Sequence, residues 1–311
     1  MKRALWVVRD KITTARAIDD LLEDAAVRGI FDLVVQVRGR GDAYYASALE
    51  PRAETVAEGF DPLDRLVRYG ASVGVRIHAW ANVFLVWSHS GRRPPRDASH
   101  LVNAHPEWLL RPDGASTLDP AGGSDFEGVY TDPANADARR HTVGVFADIA
   151  RRYRVEGIHY GHVRYPQVTY ASGPDDHRHV TRLVRESAAR LRAERPGLVI
   201  SAAVFPDPAV ARDRVLQRWP EWAADGLVDL LCPMAYRRDA AEVGRLLAAA
   251  RAAAPRTELW GGLMGYAGEP ERLRAQVLAA EGAGCEGAIL FQYDRARRDL
   301  LDAFAATERR T

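Results

Sequence analysis

Two hydrophobic patterns alternate along the chain. Short runs rich in Val, Ile and Leu have the length and composition of buried strands. Longer Ala-, Leu- and Arg-rich stretches repeat their apolar positions at helical spacing. The strand-like runs are Ala4–Val8, Phe31–Val37, Val75–Trp80, Val155–Tyr160, Leu198–Val204, Val228–Met234, Glu258–Leu263 and Gly287–Gln292. Helices are predicted near Thr14–Arg28, from Asp61-Pro62 onward, over Ala134–Tyr153, Pro174–Glu194, Arg212–Asp225, Asp239–Ala253 and Glu269–Ala283, and from Ala296 to near Thr307. Thr13 or Thr14 supplies an N-cap hydroxyl, Gly29 a stop, and Pro62 a favourable first helical position. Alternating strands and helices require a parallel sheet. Eight such units predict an α/β fold, a (β/α)8 TIM barrel spanning 1–311 as a single domain. An open doubly wound sheet competes, but no Gly-x-Gly-x-x-Gly turn follows the first strand. Residues 81–133 form a Gly-, Pro-, Asp- and His-rich loop after the third strand, placed to cover the barrel mouth.

A barrel carries its chemistry at the C-terminal ends of its strands, where side chains of one parity face inward. Gln36 and Arg38 share that parity on the second strand, and His78, Trp80 and Asn82 on the third. His159 and Gly161 share it on the fourth, followed by Arg164 and Tyr165; Met234 and Tyr236 end the sixth, and Gln292, with Tyr293 beside it, ends the eighth. Burying so many polar groups is costly unless they bind one another or a ligand. A hydrogen-bonded plug that only closes the barrel is one outcome. The other is a ligand: Trp and Tyr faces among Arg, Asn, Gln and His groups suit a hydroxyl-rich molecule, so the reading is a carbohydrate cleft.

Composition narrows the classes. A hydrophobic content of 47% and charged content of 27% exclude a disordered or fibrous chain. Lys+Arg at 43 against Asp+Glu at 42 gives a net charge of +1, so no global field draws nucleic acid or an anionic membrane. No apolar run reaches the roughly 18 residues of a membrane span. Almost every basic residue is Arg, the lysines being Lys2 and Lys11, which reads as background composition. Cys232 and Cys285 lie far apart in apolar stretches and read as buried small hydrophobes. No motif calls for a cofactor, and oligomeric state is left open. The first residues hold no signal-peptide core, so localisation is open between the cytoplasm and export behind a leader outside this sequence.

Several stretches resemble one bacterial family, the family-10-like glycosylhydrolases (glycosyl hydrolase-like ten). They are Gln36-Val37-Arg38-Gly39-Arg40-Gly41-Asp42, Gly74-Val75-Arg76-Ile77-His78-Ala79-Trp80-Ala81-Asn82, His105-Pro106-Glu107-Trp108, Gly157-Ile158-His159-Tyr160-Gly161-His162-Val163-Arg164-Tyr165-Pro166, Cys232-Pro233-Met234-Ala235-Tyr236 and Leu290-Phe291-Gln292-Tyr293-Asp294. The resemblance implies a barrel glycosidase acting on bacterial surface or cell-wall polysaccharide, with relatives that are mostly extracytoplasmic.

One position departs from the family. Its strand-four motif reads Gly-Ile-His-x-Asp-x-x-Arg-Tyr-Pro, with the Asp implied as a catalytic carboxylate; here that position is Gly161. Glycoside hydrolysis normally needs two carboxyl groups. Either the protein is a binding-only or very slow relative, or another carboxylate such as Asp42, Asp132 or Asp207 has taken over, or His159 and His162 transfer the protons. Asp42 and Asp207 also read as a loop residue and a helix cap. A non-catalytic carbohydrate-binding barrel is the rival class, in which glycine at 161 leaves room for a ligand to sit closer to strand four. A metal-dependent hydrolase using His78, His159 and His162 is a third reading.

Overall fold

The computed structural model describes residues 1–111, 127–167, 173–266 and 268–306. Its strands are β1 (Lys2–Val7), β2 (Asp32–Arg38), β3 (Arg76–Asn82), β4 (Leu85–Trp87), β5 (Val129–Tyr130), β6 (Gly157–Gly161), β7 (Val199–Val204), β8 (Leu230–Pro233), β9 (Glu258–Met264) and β10 (Gly287–Phe291). Its helices are α1 (Ala15–Ala26), α2 (Pro62–Ser72), α3 (Leu101–Ala104), α4 (Ala136–Arg152), α5 (His177–Glu194), α6 (Pro208–Val215), α7 (Trp219–Ala224), α8 (Ala240–Ala253), α9 (Pro270–Gly282) and α10 (Arg298–Ala305). Eight parallel strands close in the order β1-β10-β9-β8-β7-β6-β3-β2, the (β/α)8 barrel read from the alternation.

Local chemistry explains most element ends. Thr14 caps α1 by accepting from the Ala17 amide, Asp61 caps α2 with Pro62 behind it, and Gly29 turns the chain at a φ of +67° after α1. Two elements differ from the sequence expectation. The loop after β3 carries a small antiparallel pair, β4 with β5, packed on its own apolar cluster of Val86, Trp87, Leu101, Leu109 and Val129. The stretch expected as one helix over Arg212–Asp225 is two, because Leu216 turns left-handed at a φ of +55° and Pro220 opens α7. Residues 112–126 of the loop and the expected helix end near Thr307 lie outside the described residues.

The core has two shells. The outer one packs the alternate, outward strand residues against the helices and includes Leu33, Val35, Ile77, Ala79, Ile158 and Tyr160. The inner one fills the barrel with Trp6, Val34, Trp80, Leu230, Cys232, Trp260 and Ile289. This is the period-two alternation expected of barrel strands. Large aromatics plug the axis, so the space open to a ligand begins above them.

Candidate functional site

A cavity of about 470 Å³ opens at the C-terminal ends of the barrel strands. One wall is polar: Arg9, Gln36, Asn82, Glu127, His162 and Arg164. The rest of the lining is largely apolar and aromatic, with Ala203, Phe205, Met234, Tyr236 and Phe291, together with Trp6, Trp80 and Gly161. Edge-to-face contacts of Trp6 with Tyr236 and Phe291, at 6.3 and 6.1 Å between ring centres, fix the aromatic side.

Asn82 organises the polar wall. Its Nδ2 donates to the Gly39 carbonyl at 2.7 Å, which leaves Oδ1 as an acceptor. That oxygen takes the Trp80 indole N–H at 2.9 Å and meets His162 Nδ1 at 3.1 Å. His162 Nδ1 must therefore carry the proton in that contact, and the neutral ring keeps its lone pair on Nε2, 3.9 Å from Glu127 Oε1. Burial and then the Arg164 charge push the His162 pKa down to about 4, with Glu127 opposing and Arg9 adding to the fall. The ring is thus uncharged at neutral pH. A φ of +49° at His162 turns the side chain into the mouth, although strict alternation would place it with Tyr160 in the outer shell.

Glu127 is the one carboxylate lining the cavity among the described residues. Arg164 Nη2 donates to both its oxygens, at 2.9 and 3.2 Å, and the Tyr130 hydroxyl donates at 2.8 Å. Burial pushes its pKa up, but Arg164, His162 and Tyr130 outweigh that and hold it below the ordinary value. It is an ionised base or charge stabiliser, not a proton donor.

Gly161 is not an empty place. A Cβ built there would lie 2.5 Å from Asn82 Oδ1, 2.9 Å from Trp80 Cδ1 and closer still to Trp80 Nε1. The Trp80–Asn82 hydrogen bond occupies the space a side chain would need. The idea that glycine leaves room for a ligand on strand four is therefore corrected.

Other sequence candidates face elsewhere. Arg38 is fully buried away from the cavity, donating to Glu50 from Nε and Nη2 and to the Asn82 carbonyl from Nη1. A bulge explains this: Gln36 pairs with Trp80 but Arg38 with Ala81, so the parity slips by one residue. Gln36 stays in the wall, its Oε1 accepting from Arg9 Nη1 at 2.8 Å. His159 lies beneath the cavity floor, with Nε2 accepting from the Trp6 indole at 3.1 Å and Nδ1 on Ser201 Oγ at 2.9 Å. Burial depresses its pKa to about 3. Both nitrogens are engaged, so it is not placed to shuttle protons. His78 is deeper, its Nε2 3.2 Å from Asp32 Oδ1.

Asp42 is buried off the cavity against Arg40, and Asp207 caps α6 through the Ala209 and Val210 amides. Asp132 holds the Ala134 amide in a turn ahead of α4. Tyr165 is turned into the outer core, Tyr293 donates to Asp24, and Gln292 does not line the cavity. Met234 and Tyr236 do line it. Among the described residues, no three His, Cys, Asp or Glu side chains gather as metal ligands, so His78, His159 and His162 do not form the set the third reading required. Among the same residues no helix is long and apolar enough to cross a membrane.

Sequence reasoning passed over Glu127 and Arg9. Glu127 directly precedes the short β-type run Gly128-Val129-Tyr130-Thr131 inside the loop, a signal for a strand start. Arg9 lies just past β1, out of the inward parity of Trp6 and Val8, so the rule that picked Gln36 does not reach it, and only its place at a strand end was a signal.

A family model, Glycosyl hydrolase-like 10, matches residues 2–178. Glycosyl hydrolase YngK of Bacillus subtilis is 22% identical over 256 residues, covering 70% of this chain and 48% of that protein. Glycosyl hydrolase DigH of Escherichia coli is 22% identical over 260 residues, covering 71% of this chain and 58% of that protein. The chain spans about half the length of the curated relatives it matches. Among solved structures, the PgaB (BpsB) glycoside hydrolase domain from Bordetella bronchiseptica superimposes with a TM-score of 0.71 at 14% identity, covering 96% of this chain and 98% of that one. That likeness is one of fold.

Proposed function

Because the chain belongs to the glycosyl hydrolase-like 10 family, we propose that its cavity binds an oligo- or polysaccharide, of bacterial surface or cell-wall type, and cleaves glycosidic bonds at no more than background rate. The observation that carries this reading is the packing over Gly161. Where the family motif has its aspartate, the Trp80 indole and the Asn82 amide fill the space.

The chemistry of the lining residues agrees. Cleavage needs an acid for the leaving oxygen and a second carboxylate as nucleophile or base. Glu127 is held ionised by Arg164, and His162 is neutral with a depressed pKa, so neither is a proton donor at neutral pH. A placed acid is worth roughly 10²–10⁴ in rate. Binding has what it needs: the Tyr236, Phe291 and Trp80 faces for the C–H side of a sugar ring, and Asn82, Gln36, Arg9 and Glu127 for its hydroxyls.

A second reading is favoured by one observation, that Glu127 faces the cavity beside His162 Nε2; with a substrate-borne or loop acid it would serve as the working carboxylate. Titrating tryptophan fluorescence with neutral and acidic oligosaccharides, while following reducing ends over hours, tests both. Saturable binding without new reducing ends is the expected result. Steady release of reducing ends, abolished by Glu127→Gln, would overturn it.

A further inference from the structure

We infer that the cavity selects carboxylate-bearing saccharides, with Arg9 as the residue that takes the sugar's carboxylate. This rests on the saccharide reading of the site and narrows it to acidic sugars.

The argument is one of charge pairing within a single cavity. Its lining holds two arginines and, among the described residues, one carboxylate. Arg164 and Glu127 neutralise each other through the forked contact at 2.9 and 3.2 Å. His162 adds no charge, its pKa lying near 4. Arg9 is left over: it pairs with no carboxylate among the described residues, and its one side-chain hydrogen bond there goes to the neutral Gln36 amide at 2.8 Å. Among the described residues, the cavity lining therefore carries a net positive charge at neutral pH.

The guanidinium is also held in place. Gln36 fixes Nη1, and Gly39 makes way for the stem: a Cβ there would lie 2.5 Å from Arg9 Cδ and 3.0 Å from Nε. Nε and Nη2 keep their hydrogens for a ligand, and that edge of a guanidinium matches a carboxylate with two parallel bonds. A neutral sugar would leave this pre-positioned cation unpaired. A uronate would pair it without displacing Glu127 from Arg164.

The test uses uronate oligomers (galacturonate, mannuronate and glucuronate), each paired with its methyl ester, alongside neutral oligosaccharides of equal length. Affinities are measured by calorimetry for the full chain and for Arg9→Gln and Arg9→Lys, with melting curves to verify folding. At least one acid is expected to bind about tenfold tighter than its ester, equivalent to about 1.4 kcal/mol. The ratio should fall to near one in Arg9→Gln and lie between in Arg9→Lys, which keeps the charge but loses the fork. Esters binding as well as acids, or a ratio that survives Arg9→Gln, would overturn the inference and leave the saccharide site standing. No binding by any acid, ester or neutral chain would sink the site reading as well.

Discussion

Two Arg–Glu pairs differ in almost everything except composition. Arg38 and Glu50 are sealed, with side chains 0% and 1% exposed. Arg164 and Glu127 stand at the mouth, 9% and 54% exposed. Each pair joins an arginine at or just past a strand end to a glutamate from a loop. The sealed pair lies behind β2, also contacts His141, and ties the segment after β2 to α4. The open pair gives the cavity the one carboxylate found among its described lining residues. An arginine at a strand end is thus not evidence of a ligand until its side of the sheet is known.

The largest expected effect tests that contrast directly. Glu50→Gln strips a buried charge of its partner and should cost about 3–5 kcal/mol, whereas Glu127→Gln should cost no more than about 1 kcal/mol. Urea unfolding of both variants measures it, and similar losses would erase the distinction. Next, Gly161→Asp should destabilise by about 1–3 kcal/mol, because rigid Trp80 and hydrogen-bonded Asn82 stand where the new side chain must go. Combined with Trp80→Ala the cost should be less than additive, and a fully additive cycle would show that the two positions do not compete.

The acid response separates floor from mouth. His159 and His162 have folded pKa values near 3 and 4, below the ordinary 6.5. Below that value the unfolded chain takes protons that the folded chain refuses. Their stabilisation is therefore full above about pH 6.5 and is lost as the pH falls, by at most about 1.4 kcal/mol per unit for each group. Glu50, held near 2 against an ordinary 4.5, loses its share only below about pH 4.5. Melting temperatures from pH 7 to 4 should decline, and His159→Gln should shallow the slope. An unchanged slope would mean that His159 is not kept neutral. Smallest of all, Asp207→Ala should cost about 1 kcal/mol, the value of an N-cap, with saccharide affinity unaltered. A loss of affinity in that variant would return Asp207 to the site.

Much of the barrel was legible in the string. Strand periodicity, Pro62, Gly29 and the caps at Thr14 and Asp61 act over a few residues, and their consequences appear where local physics puts them. Part of the site was legible too: Gln36, Trp80, Asn82, Met234 and Tyr236 line the cavity because inward parity on a barrel strand is itself local. Arg38 and His162 were not assignable in this way. A bulge moved one out of the alternation, and a left-handed turn brought the other in. Glu127 and Arg9 escaped for a different reason, since a loop carboxylate and a residue just past β1 acquire meaning only when the barrel closes and brings them to one mouth.

The sequence by itself determined the eight-fold alternation, the inward parity of most strand residues and the absence of a side chain at position 161. Tertiary structure decided which polar groups satisfy one another and which still face a ligand. It also decided that glycine at 161 marks a filled space rather than a gap. The physical reason is that hydrogen-bond partners such as Trp80 and Asn82, or Trp6 and His159, are chosen by distance across the barrel, and distance is set only when the sheet closes.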